Sequence, residues 1–213
     1  WLPYSNANEH VVSMAREILP VVEEAPCIAG IGAHDPALNI ERFIDELMDM
    51  GFSGVTNEPF AGIYGRDFAE QLEAAGIGFS REVKLIETAH RKDVFTFGWA
   101  FTPEEGRIMA QAGADVIGAI VGVTAGGMTG TKKSKSLEEA TREVDEICRA
   151  AKEVNPDVLI LTHGGPLKDV ETARYSILNS AAVGYAAGSS GERLPTEISV
   201  VQITKQFKEI KLD

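Results

Sequence analysis

Apolar positions recur along this chain in two alternating rhythms. Over residues 7–22, Val11, Met14, Ala15, Ile18, Leu19 and Val22 fall three or four residues apart, which lays one apolar stripe along a helix. The next run, Pro26 to Ala33, has no polar alternation, as expected for a strand covered on both faces. Helical spacing returns at Ile40, Phe43, Ile44, Leu47 and Met48, and Gly51 supplies the stop. The same unit then repeats. Strands over 53–59, 94–100, 115–122, 157–163 and 182–188 alternate with helices over 80–92, 103–112, 137–154, 168–179 and 195–207. Thr102-Pro103-Glu104-Glu105 places a capping residue, a first-turn proline and two acidic residues at one helix start.

Strands separated by helices predict an α/β fold with a parallel sheet and right-handed crossovers. The chain reads as a (β/α)8 TIM barrel with about six of its eight strands present and the first two missing. An open doubly wound sheet is the alternative, but no glycine-rich dinucleotide turn follows the first visible strand. Residues 1–213 are expected to form one barrel domain, incomplete at the N-terminus, whose start at Trp1 looks like a loop cut open. At 44% hydrophobic residues the chain can bury one core.

Charge narrows the partners. A net charge of -12, from 32 acidic and 20 basic residues, opposes nucleic acid or an anionic membrane as the main partner. A small anionic substrate can still bind locally. No apolar run is long enough for a membrane span and no signal-peptide pattern opens the chain, so a cytoplasmic protein is expected, with Cys27 and Cys148 as buried thiols.

In a barrel of this topology every strand points its C-terminal end at one face, so the segments after the strands nominate the site. Asp35 and Glu58, from adjacent strands, are candidates to share Mg²⁺, a hard cation that takes oxygen ligands. The bland alternative has Asp35 capping the next helix and Glu58 solvated. His163, followed by Gly164 and Gly165, combines open space with a group that titrates near neutrality, and is the candidate for proton transfer. Glu192 and Asp35 are the other catalytic candidates. Gly122, Thr124, Gly126 and Gly127, with Gly188, Ser189 and Ser190, offer backbone N–H groups to an acid, Asn57 a polar contact, and Arg193 a counter-charge. Lys132, Lys133 and Lys135 read as a solvated run or part of a lid, and His10 and His90 as surface residues. The long connection over 60–79, with a short helix at 67–75, is expected to cover the site or to form an oligomer contact.

Several segments together resemble a known group: Leu-Pro-Tyr-Ser-Asn-Ala-Asn at 2–8, Asp35-Pro36, Gly-Phe-Ser-Gly-Val-Thr-Asn at 51–57, Gly-Ile-Gly-Phe at 76–79, Gly-Val-Thr-Ala-Gly-Gly at 122–127, His-Gly-Gly-Pro at 163–166 and Ser-Ser-Gly-Glu-Arg-Leu-Pro-Thr-Glu at 189–197. These resemble the TIM-barrel family described as phosphoenolpyruvate hydrolase-like, which is similar to the C-terminal domain of the plant tobamovirus-resistance protein Tm-1. The resemblance implies two further strands before the Leu-Pro-Tyr motif. It also implies membership of the phosphoenolpyruvate/pyruvate barrel superfamily, whose enzymes bind Mg²⁺ and act on keto acids. The expected activity is lyase or hydrolase chemistry on a small keto-acid or phosphorylated or phosphono acid, in a homo-oligomer. The alternatives are a non-catalytic binding or regulatory domain like that of Tm-1, and a simple phosphate-binding barrel.

Overall fold

The computed structural model describes residues 5–211; the expectation placed on Trp1 lies outside them. The elements alternate as the apolar rhythm predicts. They are α1 (Ala7–Ile18), β1 (Ile28–Gly30), α2 (Ile40–Met50), β2 (Gly54–Thr56), α3 (Arg66–Ala74), α4 (Phe79–Arg91), β3 (Phe95–Ala100), α5 (Pro103–Gln111), β4 (Val116–Ile120), α6 (Leu137–Val154), β5 (Leu159–His163), α7 (Val170–Leu178), β6 (Gly184–Tyr185) and α8 (Arg193–Lys208). The six strands form one parallel sheet in the order β1-β2-β3-β4-β5-β6. Strands that follow one another around the sheet in chain order make a barrel wall; a doubly wound sheet would reverse its order part-way. The fold is therefore the (β/α) barrel type, with the wall left open between β6 and β1 among the described residues.

Local chemistry sets the helix ends. Thr102 caps α5 by accepting from the Glu105 N–H, Ser136 does the same for α6 through Glu139, and Asp169 and Thr172 form a capping box at α7. Gly51 closes α2 in the left-handed conformation. The core lies between sheet and helices: Ala29, Ile31 and Val55 pack against Ile44 and Leu47 of α2, while Ile117, Ala119 and Ile160 meet Val144, Ile147 and Cys148 of α6. Burial pushes the Cys148 thiol up to about 12, so it stays protonated. Cys27 is only half-buried, which corrects the expectation of two buried thiols.

Alternate strand residues face the inside of the wall. There Trp99 lies across Gly118, where a Cβ would fall 2.1 Å from the indole ring. Phe97 stacks on the same ring with centroids 4.5 Å apart. Lower on this inner surface Phe95 and Leu159 remain open to solvent, 40% and 51% exposed. An open wall leaves them without the layer that a closed barrel would supply.

Candidate active site

The strand ends converge on a cavity of about 570 Å³. Glu58 enters it from β2, His163 from β5, and Gly188, Ser189 and Glu192 from the segment between β6 and α8. Gly122, Val123 and Thr124 form the side after β4, and Phe60, Ile63 and Tyr64 an aromatic and apolar wall. Ser5 and His10 of the α1 region close the rim, hydrogen-bonded to each other. His10 is exposed, as expected of a surface residue, and also belongs to the cavity rim; helical position alone carried no signal for the second role.

His163 is fixed by its own hydrogen bond. Its Nδ1 lies 2.7 Å from the Ala186 carbonyl oxygen, which can only accept, so the proton sits on Nδ1 and the Nε2 lone pair is left for the cavity. The imidazole packs edge-on against Trp99 at 5.0 Å. Burial lowers its pKa, against the smaller upward pull of the Ala186 bond. A neutral, oriented imidazole is the form that accepts a proton.

Glu58 is open to water at the cavity wall, yet surrounding protein and then the charge of Glu192 raise its pKa, while the Trp99 indole pulls the other way. Neither Glu58 nor Glu192 accepts a hydrogen bond or ion pair at the side chain from the described residues. The two carboxylates face one space, and their mutual repulsion favours a proton on Glu58.

The glycines have a second use. Gly164 has φ +82° and a Cβ there would fall 2.1 Å from the Gly122 carbonyl oxygen. Gly165 N–H donates to that same oxygen at 2.8 Å, and Ala125 N–H donates to the Gly165 carbonyl. The segments after β4 and β5 are thus laced together backbone to backbone, which admits no side chain.

Other expected site residues are placed elsewhere. Asn57 is fully buried: its Oδ1 accepts from the Trp99 backbone N–H at 2.7 Å and its Nδ2 donates to Glu82 at 2.5 Å. Its amide is spent on joining β2 to β3, and it does not line the cavity. Gly126 and Gly127 turn toward α8, where Arg193 donates to the Gly126 carbonyl and pairs with Glu197, and Met128 N–H donates to Glu197. Arg193 is consumed in that tie and does not line the cavity. Ser190 Oγ donates to the Tyr185 hydroxyl, which itself donates to the Leu167 carbonyl. Lys135 pairs with Glu143.

Asp35 opens on a different depression, beside Asn39 and Arg42. Its Oδ1 accepts from Ala37 N–H and its Oδ2 from Asn6, and these bonds hold its pKa down. It closes a turn; the α2 cap is Asn39. Asp35 and Glu58 therefore do not fit a shared magnesium site. Among the described residues no group of three or more His, Cys, Asp or Glu side chains is arranged to hold a metal.

Sequence reasoning missed Glu82. Its buried carboxylate accepts from Asn57 Nδ2 and from Ala61 N–H at 2.7 Å, clamping the segment that carries Glu58 and Phe60. A glutamate on an amphipathic helix reads as solvated, and only its partners reveal it. Arg81 is a similar surprise, donating to the carbonyls of Ala33, Asp35 and Leu38.

Residues 1–210 match the phosphoenolpyruvate hydrolase-like family. The chain belongs to that family. It is 41% identical over 213 residues to the ToMV susceptible protein tm-1(GCR26) of Solanum lycopersicum and 40% identical to the ToMV resistance protein Tm-1(GCR237) of the same plant. Both alignments take in 100% of this chain and 28% of the relative, so the chain spans well under half the length of these curated relatives. Among solved structures, 2,3-dimethylmalate lyase, a PEP mutase/isocitrate lyase superfamily member, aligns over 85% of this chain and 64% of its own with a TM-score of 0.48 and 12% identity. No helix among the described residues of this phosphoenolpyruvate hydrolase-like chain is long and apolar enough to cross a membrane.

Proposed function

We propose that this chain is an enzyme unit acting on a small keto-acid or phosphorylated or phosphono acid by lyase or hydrolase chemistry. One observation carries the reading: an imidazole held by its Nδ1 proton turns its Nε2 into a cavity shared with two unpaired carboxylates. In this mechanism His163 Nε2 accepts a proton from the substrate or from an attacking water. Glu58, whose proton affinity the surrounding protein and then Glu192 raise, passes one to the developing oxyanion or leaving group. Ser189 and the backbone around Gly188 hold the acid group, and the wall of Phe60, Ile63 and Tyr64 limits water. The residues expected to hold magnesium do not fit it as a pair, and no step runs through a metal. Assembly as a cytoplasmic homo-oligomer belongs to the same proposal.

The test is product detection by proton NMR with phosphoenolpyruvate, oxaloacetate and related acids. His163→Ala and Glu58→Gln are expected to cut turnover by about a hundredfold or more, the range of a lost acid or base. Turnover that both variants retain would remove the assignment. A second reading, a non-catalytic ligand- or protein-binding regulatory domain, is favoured by the names of the tomato relatives. It gains if no acid is turned over while ligand binding at the cavity persists.

A further inference from the structure

The charges that line the cavity are one-sided. Glu58 and Glu192 face it without a partner, and no Lys or Arg is among the residues that form it. The nearby guanidinium groups are committed: Arg193 to Glu197 and the Gly126 carbonyl, Arg81 to three carbonyls of the segment after β1. A bare anion placed here meets two carboxyl groups and no lysine or arginine, an unfavourable arrangement at short range. A cationic nitrogen meets the reverse. Two carboxylates can accept its N–H groups, and the aromatic residues Phe60 and Tyr64 line the same cavity.

A second observation points to the other end of the ligand. The Trp99 indole N–H is buried, in a residue only 7% exposed, and is directed toward the Glu58 carboxyl without closing a hydrogen bond of good geometry to it or to any other described residue. It lies beside two cavity residues, edge-on to His163 and near enough to Glu58 to act on its carboxyl. A buried donor left unpaired costs on the order of 1–3 kcal/mol and is commonly satisfied by a ligand. An acid oxygen is the chemistry that satisfies it.

We propose that the ligand of this cavity is a zwitterion, a small acid that also carries an ammonium group, with the ammonium seated between Glu58 and Glu192 and an acid oxygen toward the Trp99 indole N–H and Ser189. This rests on the reading of the cavity as a small-acid site and replaces the keto acid named there with an amino acid. It also selects among acids by their charge at the second carbon, since a hydroxyl or keto oxygen there cannot neutralise either carboxylate.

The three-carbon acids L-alanine, L-lactate and pyruvate differ only at that carbon and are the probes. The whole chain, labelled with nitrogen-15, is titrated with each in EDTA, and the indole N–H signals of Trp1 and Trp99, distinguished with Trp1→Phe, are followed. Alanine is expected to shift the Trp99 signal with about tenfold or greater affinity over lactate, the scale of one charge-assisted hydrogen bond. Glu192→Gln is expected to erase that preference, with Glu58→Gln as the second variant should the first not fold. Equal or tighter binding of lactate or pyruvate in EDTA overturns the proposal and leaves the keto-acid reading standing. Binding of the acids only after Mg²⁺ is added also overturns it, because the positive charge then comes from the metal. If none of the three shifts Trp99, both the proposal and the small-acid reading fall. Tight alanine binding with no turnover of any acid supports the ligand class and sinks the catalytic reading alone.

Discussion

Glu82 is the residue whose removal the structure prices most directly. It is 1% exposed, and burial raises its pKa to about 7 from an ordinary 4.5, against the opposing pull of its bonds from Ala61 and Asn57. Glu105 and Glu73 add a smaller upward push. The sign follows from linkage: a group with a raised folded pKa binds its proton more tightly in the folded chain. Its contribution to stability is full below about pH 4.5 and is lost as pH rises through about 7. A difference of that size corresponds to about 3 kcal/mol at 1.36 kcal/mol per unit, an order-of-magnitude figure. Glu82→Gln removes the titration but not the volume. Its amide has one oxygen for two donors, so its NH2 must face either Asn57 Nδ2 or the Ala61 N–H, and the variant also carries a pH-independent cost of about 1–3 kcal/mol. Urea unfolding of both proteins at pH 5, 6, 7 and 8 separates the two effects. The wild type should lose stability relative to Glu82→Gln by about 2–3 kcal/mol across that range. Parallel stability profiles would mean that Glu82 titrates as an exposed carboxyl does, and the clamp on the Glu58 segment would have to be abandoned.

Other consequences are equally concrete. Gly118→Ala sets a methyl 2.1 Å from the Trp99 ring and is expected to cost about 1–3 kcal/mol or more and to change the tryptophan near-UV signal; an unchanged spectrum and melt would show that the ring does not lie there. Gly164→Ala combines a left-handed backbone with a methyl against the Gly122 carbonyl, so a loss of at least about 1–2 kcal/mol in chemical denaturation is expected, together with weaker ligand binding beside His163. Asp35→Ala should lower stability by about 1 kcal/mol while leaving cavity affinity unchanged by calorimetry. A large drop in that affinity would return Asp35 to the site.

The alternation of apolar rhythms carries the whole element order, because burial on both faces of a strand and one face of a helix is a property of sequence spacing. Strand ends were harder to read: β6 is two residues long where the apolar run suggests 182–188, since a strand at the open edge has only one neighbour to pair with. The convergence of His163, Glu58 and Glu192 follows from topology and was legible for that reason. What could not be read was which polar groups are already satisfied. Asn57, Asp35, Ser190 and Arg193 look like free functional groups in one dimension, and each is spent on a partner that lies far along the chain or just beyond the next turn. The hidden Glu82 is the converse case. In the sequence Gly164 and Gly165 read as open space beside His163, whereas much of their work is the close passage of two backbones.

The account stands on Glu58 and Glu192 sharing one mouth with His163, and the titration of Glu58 tests it most directly. Carbon-detected NMR of the labelled glutamate carboxyls gives the Glu58 pKa in the wild type and in Glu192→Gln. Removing the charge at 192 should move the Glu58 pKa down, since that charge helps to raise it. An identical Glu58 titration in both proteins would place the two carboxyl groups out of reach of each other and dissolve the site.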